Sequence, residues 1–266
     1  MQEITSTNNA KIKNLIQLQK KSSLRKTFQE FVIEGRRELV AALTNQFQIK
    51  SIFFYPELFS EAEVHQLLNT YENKPEIIKI SKNVYRKIAY RQSTEGIMAV
   101  AKMKSLNIDR LQLSDNPYVL VAEGIEKPGN VGAMLRSVDG AGAEALILVN
   151  PRMDLYNPNV IRASLGMVFS IPVAICSLEE LEQFLKNKNI RLFAAGLQNA
   201  NVYFNEDYTI PTAIAVGAED KGLTPDIRKI ARQQIYIPMK GQADSLNVSV
   251  SAAVLLYEIV RQRTHK

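Results

Sequence analysis

The feature that most constrains the fold of this chain is a regular alternation of short apolar runs with amphipathic stretches after residue 117. Each run is four or five residues long, which predicts buried strands at 118–122, 145–149, 173–176, 191–195, 212–216 and 234–237. Apolar residues at helical spacing predict helices at 131–141, 178–186, 225–231 and 246–261. This alternation predicts an α/β domain whose mainly parallel sheet is covered on both faces.

The first hundred residues alternate in the same way. Helices are predicted at 9–20, 36–43, 62–68 and 82–88, and strands at 31–33, 49–55, 77–80 and 96–103. The stretch 105–116 is polar and weakly patterned, so we interpret it as a linker. The sequence therefore predicts a small α/β domain over residues 1–104 and a second domain over residues 117–266.

Charge is distributed unevenly between the two predicted domains. The formal net charge of the 266 residues is +6. Residues 1–104 contain 17 Lys and Arg against 10 Asp and Glu, whereas the rest of the chain contains 16 against 17. A basic first domain favours a module that binds a polyanion such as nucleic acid. A solvated lysine-rich surface would have the same composition, so charge alone leaves both interpretations open.

Cysteine and histidine are scarce, and this scarcity excludes several kinds of site. The single cysteine, Cys176, lies in an apolar run, which predicts a buried structural thiol. The only histidines are His65 and His265. These counts exclude a disulfide framework, a Cys-rich or His-based metal site and a Ser-His-Asp triad, so we expect no metal.

The sequence also bears on location. Its apolar runs are too short to span a bilayer. The first residues lack the charged-then-apolar arrangement of a signal peptide. We therefore expect a cytoplasmic protein that makes no contact with a membrane.

One glycine-rich segment, residues 140–145, fits the loose G-x-G-x-x-A form of a dinucleotide-binding fingerprint. Such a fingerprint follows a strand and opens a helix, so that the pyrophosphate meets the helix N-terminus. Here the glycines close a predicted helix and lead into a predicted strand. Gly142 is therefore interpreted as a helix C-terminal residue, and a nicotinamide-dependent oxidoreductase is disfavoured.

The loop and helix start at residues 126–137 form the first of three segments that favour a ligand site. Asn130 is predicted to be the N-cap of the helix, and Gly132 allows close approach to its first turn. Arg136 lies six residues after Asn130, where we expect its side chain to share a site with the helix start. A well-capped helix with a surface arginine is the alternative.

The other two segments also follow predicted strands. Residues 215–223 contain two glycines and two carboxylates, Glu219 and Asp220. Residues 236–250 lead into the last helix, with Ser245 as its predicted N-cap. Asn247 and Ser249 are polar residues beside an apolar helix and are candidates to face a ligand. An ordinary turn and a capped core helix are the alternatives. Ligands of open α/β sheets bind beyond the carboxyl ends of strands, where all three segments are predicted to lie.

These segments together resemble the SpoU/TrmH family of the SPOUT methyltransferases. The resemblance rests on three motifs in order, Asn130-Val131-Gly132-Ala133-x-x-Arg136, Val216-Gly217-Ala218-Glu219-x-x-Gly222-Leu223 and Ile237-Pro238-Met239-x-Gly241-x-x-x-Ser245-Leu246-Asn247-Val248-Ser249. Arg162-Ala163-Ser164-x-Gly166 also looks like the family. The first domain, with Phe31-Val32-Ile33-Glu34-Gly35, looks like the family's N-terminal substrate-binding domain, which resembles kink-turn-binding ribosomal proteins.

The resemblance implies a parallel sheet with a C-terminal trefoil knot and an S-adenosylmethionine-dependent RNA methyltransferase that acts on a ribose 2′-hydroxyl. Large-subunit rRNA is the preferred substrate and tRNA the alternative. The family's cofactor contacts carry over to Gly196, Gly217, Ile237, Met239 and Leu246. The family also implies a homodimer. RNA is then expected on the basic first domain, at Lys20, Lys21, Arg25, Lys26, Arg36 and Arg37.

The family gives the catalytic role to Arg136, with Asn130, Glu219 and Asn247 arranging it and the ribose. A guanidinium is essentially never deprotonated in a protein, so Arg136 suits binding of a phosphate or a developing alkoxide better than proton abstraction. Our hypothesis for the proton acceptor is Glu219 or a water that it orients. Two alternatives stay open, a non-catalytic RNA-binding or ribosome-assembly factor and a base N-methyltransferase.

Overall fold

The computed structural model describes residues 2–90 and 95–264, which pack as two compact units. The first unit comprises the chain up to Ser105 together with Asp154–Ser170. The second comprises Leu106–Met153 and the chain from Ile171 onward. In the described part of the chain, no helix has the length and apolar character needed to cross a membrane.

The first unit contains a mixed five-stranded sheet in the order β1-β4-β3-β5-β2, in which β3 is parallel to β4 and antiparallel to β5. Every helix and strand predicted for this part of the chain is confirmed to within two residues at each end. Two further elements, β1 and α2, were not predicted. The elements are β1 (Gln2–Ile4), α1 (Ala10–Lys20), α2 (Ser22–Phe28), β2 (Glu30–Glu34), α3 (Arg36–Thr44), β3 (Ile49–Phe54), α4 (Glu61–Leu68), β4 (Glu76–Ile80), α5 (Lys82–Ile88) and β5 (Ile97–Lys102).

The segment Asp154–Ser170 packs within the first unit, although the sequence places it in the predicted second domain. It forms two short helices, α7 (Pro158–Ala163) and α8 (Met167–Ser170), of which neither was predicted. Aromatic side chains explain this packing. The rings of Phe31 and Tyr156 stack with centroids 4.4 Å apart, and those of Phe47 and Phe169 meet edge-on at 5.0 Å. Burial of these apolar rings favours this arrangement of the segment.

The second unit contains a seven-stranded sheet in the order β10-β12-β9-β11-β6-β7-β8, in which all neighbouring strands are parallel. The six predicted strands and the predicted α/β class are confirmed. The short edge strand β10 was not predicted. The elements are β6 (Tyr118–Glu123), α6 (Pro128–Ala141), β7 (Ala145–Val149), β8 (Val173–Cys176), α9 (Leu178–Asn187), β9 (Arg191–Ala195), β10 (Ala200–Val202), β11 (Thr212–Val216), α10 (Pro225–Ile230), β12 (Gln233–Tyr236) and α11 (Val248–Thr264).

Helices cover both faces of this sheet. Alternate strand residues such as Val119 and Ile147 form one core with Leu181 and Phe184 of α9, and α6 and α11 pack on the other face. Two smaller predictions are confirmed. Gly142 ends α6 in the left-handed region with φ 73°, and Cys176 is buried, which raises the pKa of its thiol to about 12.

Candidate active site

Three loops at the carboxyl ends of β9, β11 and β12 enclose a cavity of about 400 Å³ in the second unit. The five residues expected to contact the cofactor all line it, namely Gly196, Gly217, Ile237, Met239 and Leu246. Sequence reasoning missed several lining residues, because side chains such as Leu197, Ser251 and Leu255 carry no motif of their own. The structure therefore brings together the predicted cofactor residues from loops that are distant in the sequence.

Gly217 sets the path of the second loop. A Cβ atom at this position would lie 2.1 Å from the carbonyl carbon of Gly222 and 2.2 Å from the backbone nitrogen of Leu223. The neighbours are backbone atoms, so no side-chain rotation relieves the clash. The loop returns on itself here, since the Gly222 N–H donates to the Ala218 carbonyl at 2.8 Å. Only glycine allows this close approach of two backbone segments.

A buried carboxylate fixes the far end of the same loop. Glu123, at the carboxyl end of β6, is 5% exposed. It accepts hydrogen bonds from the backbone N–H of Thr224 at 2.8 Å and from its hydroxyl at 2.7 Å. Thr224 is in turn the N-cap of α10. Sequence reasoning missed Glu123, although a charged residue at the end of an apolar strand was a signal for it.

Three of the four predicted catalytic residues, Asn130, Glu219 and Asn247, meet at the Glu219 carboxylate. This carboxylate accepts hydrogen bonds from the side-chain amide of Asn130 and from the ammonium of Lys127. The amide nitrogen of Asn247 lies 3.4 Å from Glu219 Oε1 and 3.3 Å from Asn130 Oδ1. Lys127 was not among the predicted site residues. Its position just before the helix start of the first motif was the available signal.

This network changes the acid–base character of Glu219. The hydrogen bond from Lys127, followed by that from Asn130, lowers the pKa of the Glu219 carboxyl below its usual value. Lys127 also lowers it through its positive charge. The side chain is therefore ionised at neutral pH and is a weak base, because both hydrogen bonds stabilise the carboxylate form.

Two capping predictions are wrong, and both errors concern the residues that form this network. Helix α6 begins at Pro128 with Lys127 as N-cap, because proline is favoured in the first turn. Asn130 lies inside that turn, which leaves its side chain available to Glu219. Helix α11 begins at Val248, and Asn247 rather than Ser245 caps it, accepting from the Ser249 N–H at 2.9 Å.

A smaller cavity of about 240 Å³ lies beside the network. Ala218 and Glu219 line both this cavity and the larger one. Lys127 and Asn130 also line the smaller cavity, together with Ile125, Glu126 and Asp220. Glu219 and its donors therefore lie where two ligands held in the two cavities would approach each other.

Arg136 is not part of the network within one chain. It is exposed on α6 and makes no hydrogen bond or ion pair with any of residues 2–90 or 95–264. Six helical residues correspond to about 600° of rotation, so Arg136 lies about 120° around the helix from Asn130. The expectation that it shares a site with the helix start is not met by the helix geometry of a single chain.

The residues expected to bind RNA lie in the first unit, and one of them was wrongly chosen. Arg25 is 2% exposed and donates to Asp154 at 2.6 Å and to the carbonyl of Leu18 at 2.6 Å. Its guanidinium is used inside the unit, so it is not available to a phosphate. The other five, which are exposed, are Lys20, Lys21, Lys26, Arg36 and Arg37.

Comparison with known proteins identifies the family. The profile of the SpoU rRNA Methylase family matches residues 117–257, which is more than half of the chain. The chain belongs to the SpoU rRNA methylase family. A second profile, that of the MRM3-like substrate binding domain, matches residues 9–99. The two matches fall on the two predicted domains.

Relatives of this SpoU methylase cover nearly its whole length. The 23S rRNA (guanosine(2553)-2′-O)-methyltransferase RlmP of Bacillus subtilis is 28% identical over 97% of this chain and 99% of its own. The crystal structure of an RNA 2′-O ribose methyltransferase is 39% identical, with a TM-score of 0.83 over 98% of this chain and 99% of the other. The SpoU methyltransferase AviRb from Streptomyces viridochromogenes, in complex with AdoMet, is 26% identical, with a TM-score of 0.89 over 97% and 99%.

The larger cavity fits the cofactor of the SpoU methylases, S-adenosylmethionine. Its volume of about 400 Å³ lies in the range of small-molecule sites. Ile237, Leu246 and Leu255 give it apolar walls that suit an adenine ring. The close backbone packing at Gly217 shapes a loop whose peptide groups border the cavity.

Proposed function

We propose that this protein transfers a methyl group from S-adenosylmethionine to the 2′-hydroxyl of a ribose in large-subunit ribosomal RNA. The observation that carries the proposal is the network of Asn130, Glu219 and Asn247 between the two cavities. The names of its relatives, such as the 23S rRNA 2′-O-methyltransferase of B. subtilis, support ribosomal RNA as the substrate.

The larger cavity holds the cofactor through the five predicted residues and the apolar residues around them. When bound there, S-adenosylmethionine supplies an electrophilic methyl group. The protein has to align the ribose oxygen with that group, which removes much of the entropic barrier to the reaction. The smaller cavity, which shares Ala218 and Glu219 with the larger one, is the proposed position of the target ribose.

The network orients the ribose and disposes of its proton. Asn130 and Asn247 are held by Glu219, so their amide groups are preorganised for hydrogen bonds to the ribose hydroxyls. Because Lys127 and Asn130 lower the pKa of Glu219, the carboxylate is a poor direct proton acceptor. Of the two alternatives in our hypothesis, we therefore propose that Glu219 orients a water and that this water takes the proton.

Arg136 completes the site from a second copy of the chain. It is exposed and has no partner within the described part of its own chain, as a residue that acts across an interface would be. Helix α11 packs on the same α6 and exposes Val250 and Tyr257, 47% and 52% respectively. This exposed apolar surface, on the helix that packs against α6, supports a homodimer in which the guanidinium reaches an RNA phosphate or the developing alkoxide.

The topology of the second unit supports the proposed trefoil knot. The last strand of the chain, β12, lies inside the sheet between β9 and β10 rather than at its edge. The segment from β12 to α11 contributes the third loop of the cofactor cavity. We propose that this segment passes through a loop formed earlier in the chain. A ribosomal substrate also supports the cytoplasm as the proposed location.

The first unit binds the RNA substrate in this proposal. The match of residues 9–99 to a substrate-binding domain supports this role. The exposed cations Lys20, Lys21 and Lys26 on and beside α1 and α2 are the proposed phosphate contacts, with Arg36 and Arg37 on α3. Arg25 is omitted because it is buried. The domain boundaries 1–104, 105–116 and 117–266 remain our proposal for the functional modules.

The deciding experiment is transfer of tritium from labelled S-adenosylmethionine to total RNA that lacks the modification. Wild type and Arg136→Ala are assayed together, and the labelled product is analysed as nucleosides. We expect label in one ribosomal RNA species, recovered as a 2′-O-methylnucleoside, and a rate reduced about 10²-fold in the variant. Label in a base instead of a ribose, or cofactor binding without transfer to any RNA, contradicts the proposal.

A further inference from the structure

A second groove of the second unit lies at the amino-terminal ends of the strands whose carboxyl ends border the cofactor cavity. Its volume is about 460 Å³, and it is formed by α9, α10 and the starts of β9 and β12. The cofactor cavity adjoins the carboxyl ends of these same strands. The five residues of β9, at about 3.3 Å each, separate the groove from the cofactor cavity by about 15 Å. A ligand in this groove would not reach the reacting atoms.

The groove concentrates positive charge on a unit that is otherwise balanced. Four cations and one carboxylate line it, namely Lys186, Arg191, Lys229, Arg232 and Glu182. Over the whole second unit, acidic residues exceed basic ones by one. The grouping is therefore local and is not a consequence of a generally basic composition.

The two arginines are free to bind a ligand. Arg232 lies beside the start of β9, since its N–H donates to the Leu192 carbonyl at 2.8 Å, one residue after Arg191. Both side chains are exposed, and neither forms a hydrogen bond or ion pair with a residue in the described part of the chain. The two guanidinium groups thus extend from neighbouring strand starts.

The remaining residues of the groove add two ammonium groups and an apolar floor, which suit a ligand that has both phosphates and apolar groups. Lys186 pairs with Glu182 at 2.6 Å and Lys229 with Asp226 at 2.8 Å. Such exposed pairs are worth little, so both ammonium groups can turn to a phosphate at small cost. Leu185, Ile190 and Leu192 are nearly buried and form the floor.

We propose that this groove binds the sugar–phosphate backbone of the substrate RNA at a place remote from the target nucleotide. Arginine favours phosphate because its planar fork donates two parallel hydrogen bonds. Backbone contacts of this kind position a protein on RNA without reading its sequence. The inference rests on the proposed function, which makes RNA the substrate. It adds a contact surface on the catalytic unit itself.

The test uses the double variant R191Q/R232Q and an in vitro transcript of large-subunit rRNA. Affinity is measured at several salt concentrations, together with methyl-transfer kinetics and calorimetric cofactor affinity. The slope of log affinity against log salt is negative, and losing two phosphate contacts should make it shallower by about 1.5. We expect KM for RNA to rise about 10-fold. Values of kcat and the cofactor Kd should stay unchanged, because the groove lies far from the reacting atoms.

Two controls separate charge in the groove from charge in general. Arg110→Gln removes an exposed guanidinium on the short 3-10 helix Ile108–Arg110, which does not line the groove, and should leave the slope unchanged. R191K/R232K keeps the charge and should restore the wild-type salt slope but only part of the affinity, because lysine lacks the bidentate fork.

Two results overturn the inference in different ways. If R191Q/R232Q keeps the wild-type slope and KM while wild type methylates the transcript, the groove does not bind RNA and the proposed function stands. If wild type neither binds nor methylates RNA, the proposed function fails and the groove assignment fails with it.

Discussion

Among single residues, Glu219 has the most contacts that bear on the reaction. Glu219→Gln removes the negative charge and replaces one acceptor oxygen by a donor. In the wild type Lys127 donates to Oε2 and the amides of Asn130 and Asn247 to Oε1, so the one remaining oxygen cannot serve all three donors in this arrangement. We expect the single-turnover rate of methyl transfer at saturating cofactor to fall about 10²-fold. Glu179→Gln makes the same change at an exposed glutamate that lines neither cavity, and should keep most of the rate. A Glu219→Gln enzyme with the full rate would show that the network does not act in the reaction.

Lys127 controls the ionisation of the same carboxylate. Its hydrogen bond is the largest cause of the lowered pKa of Glu219, so the carboxylate stays ionised to lower pH than an ordinary glutamate. In Lys127→Met the pKa of Glu219 should rise, and the loss of activity on the acidic side should move to higher pH. A carbon-detected NMR titration of Glu219 in both proteins measures the shift directly. An unchanged or lower pKa in the variant contradicts the assigned ion pair.

The sequence predicted those residues of the site that belong to the three motifs and missed those that do not. Asn130, Glu219 and Asn247 were grouped by the family resemblance, on motifs in three segments that follow predicted strands, and the structure joins them by hydrogen bonds. Lys127 was missed because a lysine before a helix is common on protein surfaces. Arg25 was misassigned because it occurs in a run of exposed cations, and only packing against Asp154 reveals its burial.

Among the structural elements, the loop after β11 depends on one glycine. In Gly217→Ala the new Cβ would lie about 2 Å from the backbone at Gly222 and Leu223, so the loop has to move. We expect a stability loss of about 1–3 kcal/mol and a cofactor affinity at least 10-fold weaker. Gly241→Ala is the matched control in the third loop, since no atom lies within 4 Å of its Cβ position. Calorimetry and thermal unfolding report both quantities, and equal behaviour of the two variants would contradict the assigned role.

Helix α2 is held by its buried arginine. Arg25→Ala leaves the Asp154 carboxylate, 10% exposed, without its charged partner. Breaking a buried ion pair in this way costs about 3–5 kcal/mol. Denaturant unfolding should show this loss, whereas Lys26→Ala, one residue later and exposed, should weaken RNA binding without a measurable loss of stability. If Arg25→Ala instead weakened RNA binding without a loss of stability, Arg25 would belong among the RNA-binding residues.

Periodicity predicted the central elements and failed at the short ones. The six predicted strands of the second unit lie inside the sheet or bear its core residues, so their apolar pattern is continuous. The edge strand β10 has three residues and none is buried. Helix α2 buries only Arg25, which gives no apolar stripe to detect. Elements with little apolar burial leave little trace in a sequence.

For the whole molecule, strand order and threading are beyond what periodicity encodes. β12 pairs with β9 and β10 although β11 comes between them in the chain. This order depends on which apolar faces cover each other across long connections, and no local pattern specifies it. The family resemblance supplied the expected knot, and the same resemblance implied a second copy of the chain. Assembly is therefore the property of the whole molecule that needs its own test.

The proposed dimer depends on the apolar surface of α11. Val250→Asp places a charge on a side chain that is 47% exposed in one chain, so the fold of that chain should be unaffected. At an interface the same charge would be buried without a partner, which should destabilise the dimer. We expect sedimentation to show a dimer for wild type and a monomer for the variant, with methyl transfer reduced about as much as in Arg136→Ala, because both remove Arg136 from the second copy's site. Phe204→Asp, 51% exposed outside α11, is the control and should stay dimeric. A monomeric Val250→Asp enzyme with full activity would show that each chain carries a complete site, and Arg136 would then act on its own chain.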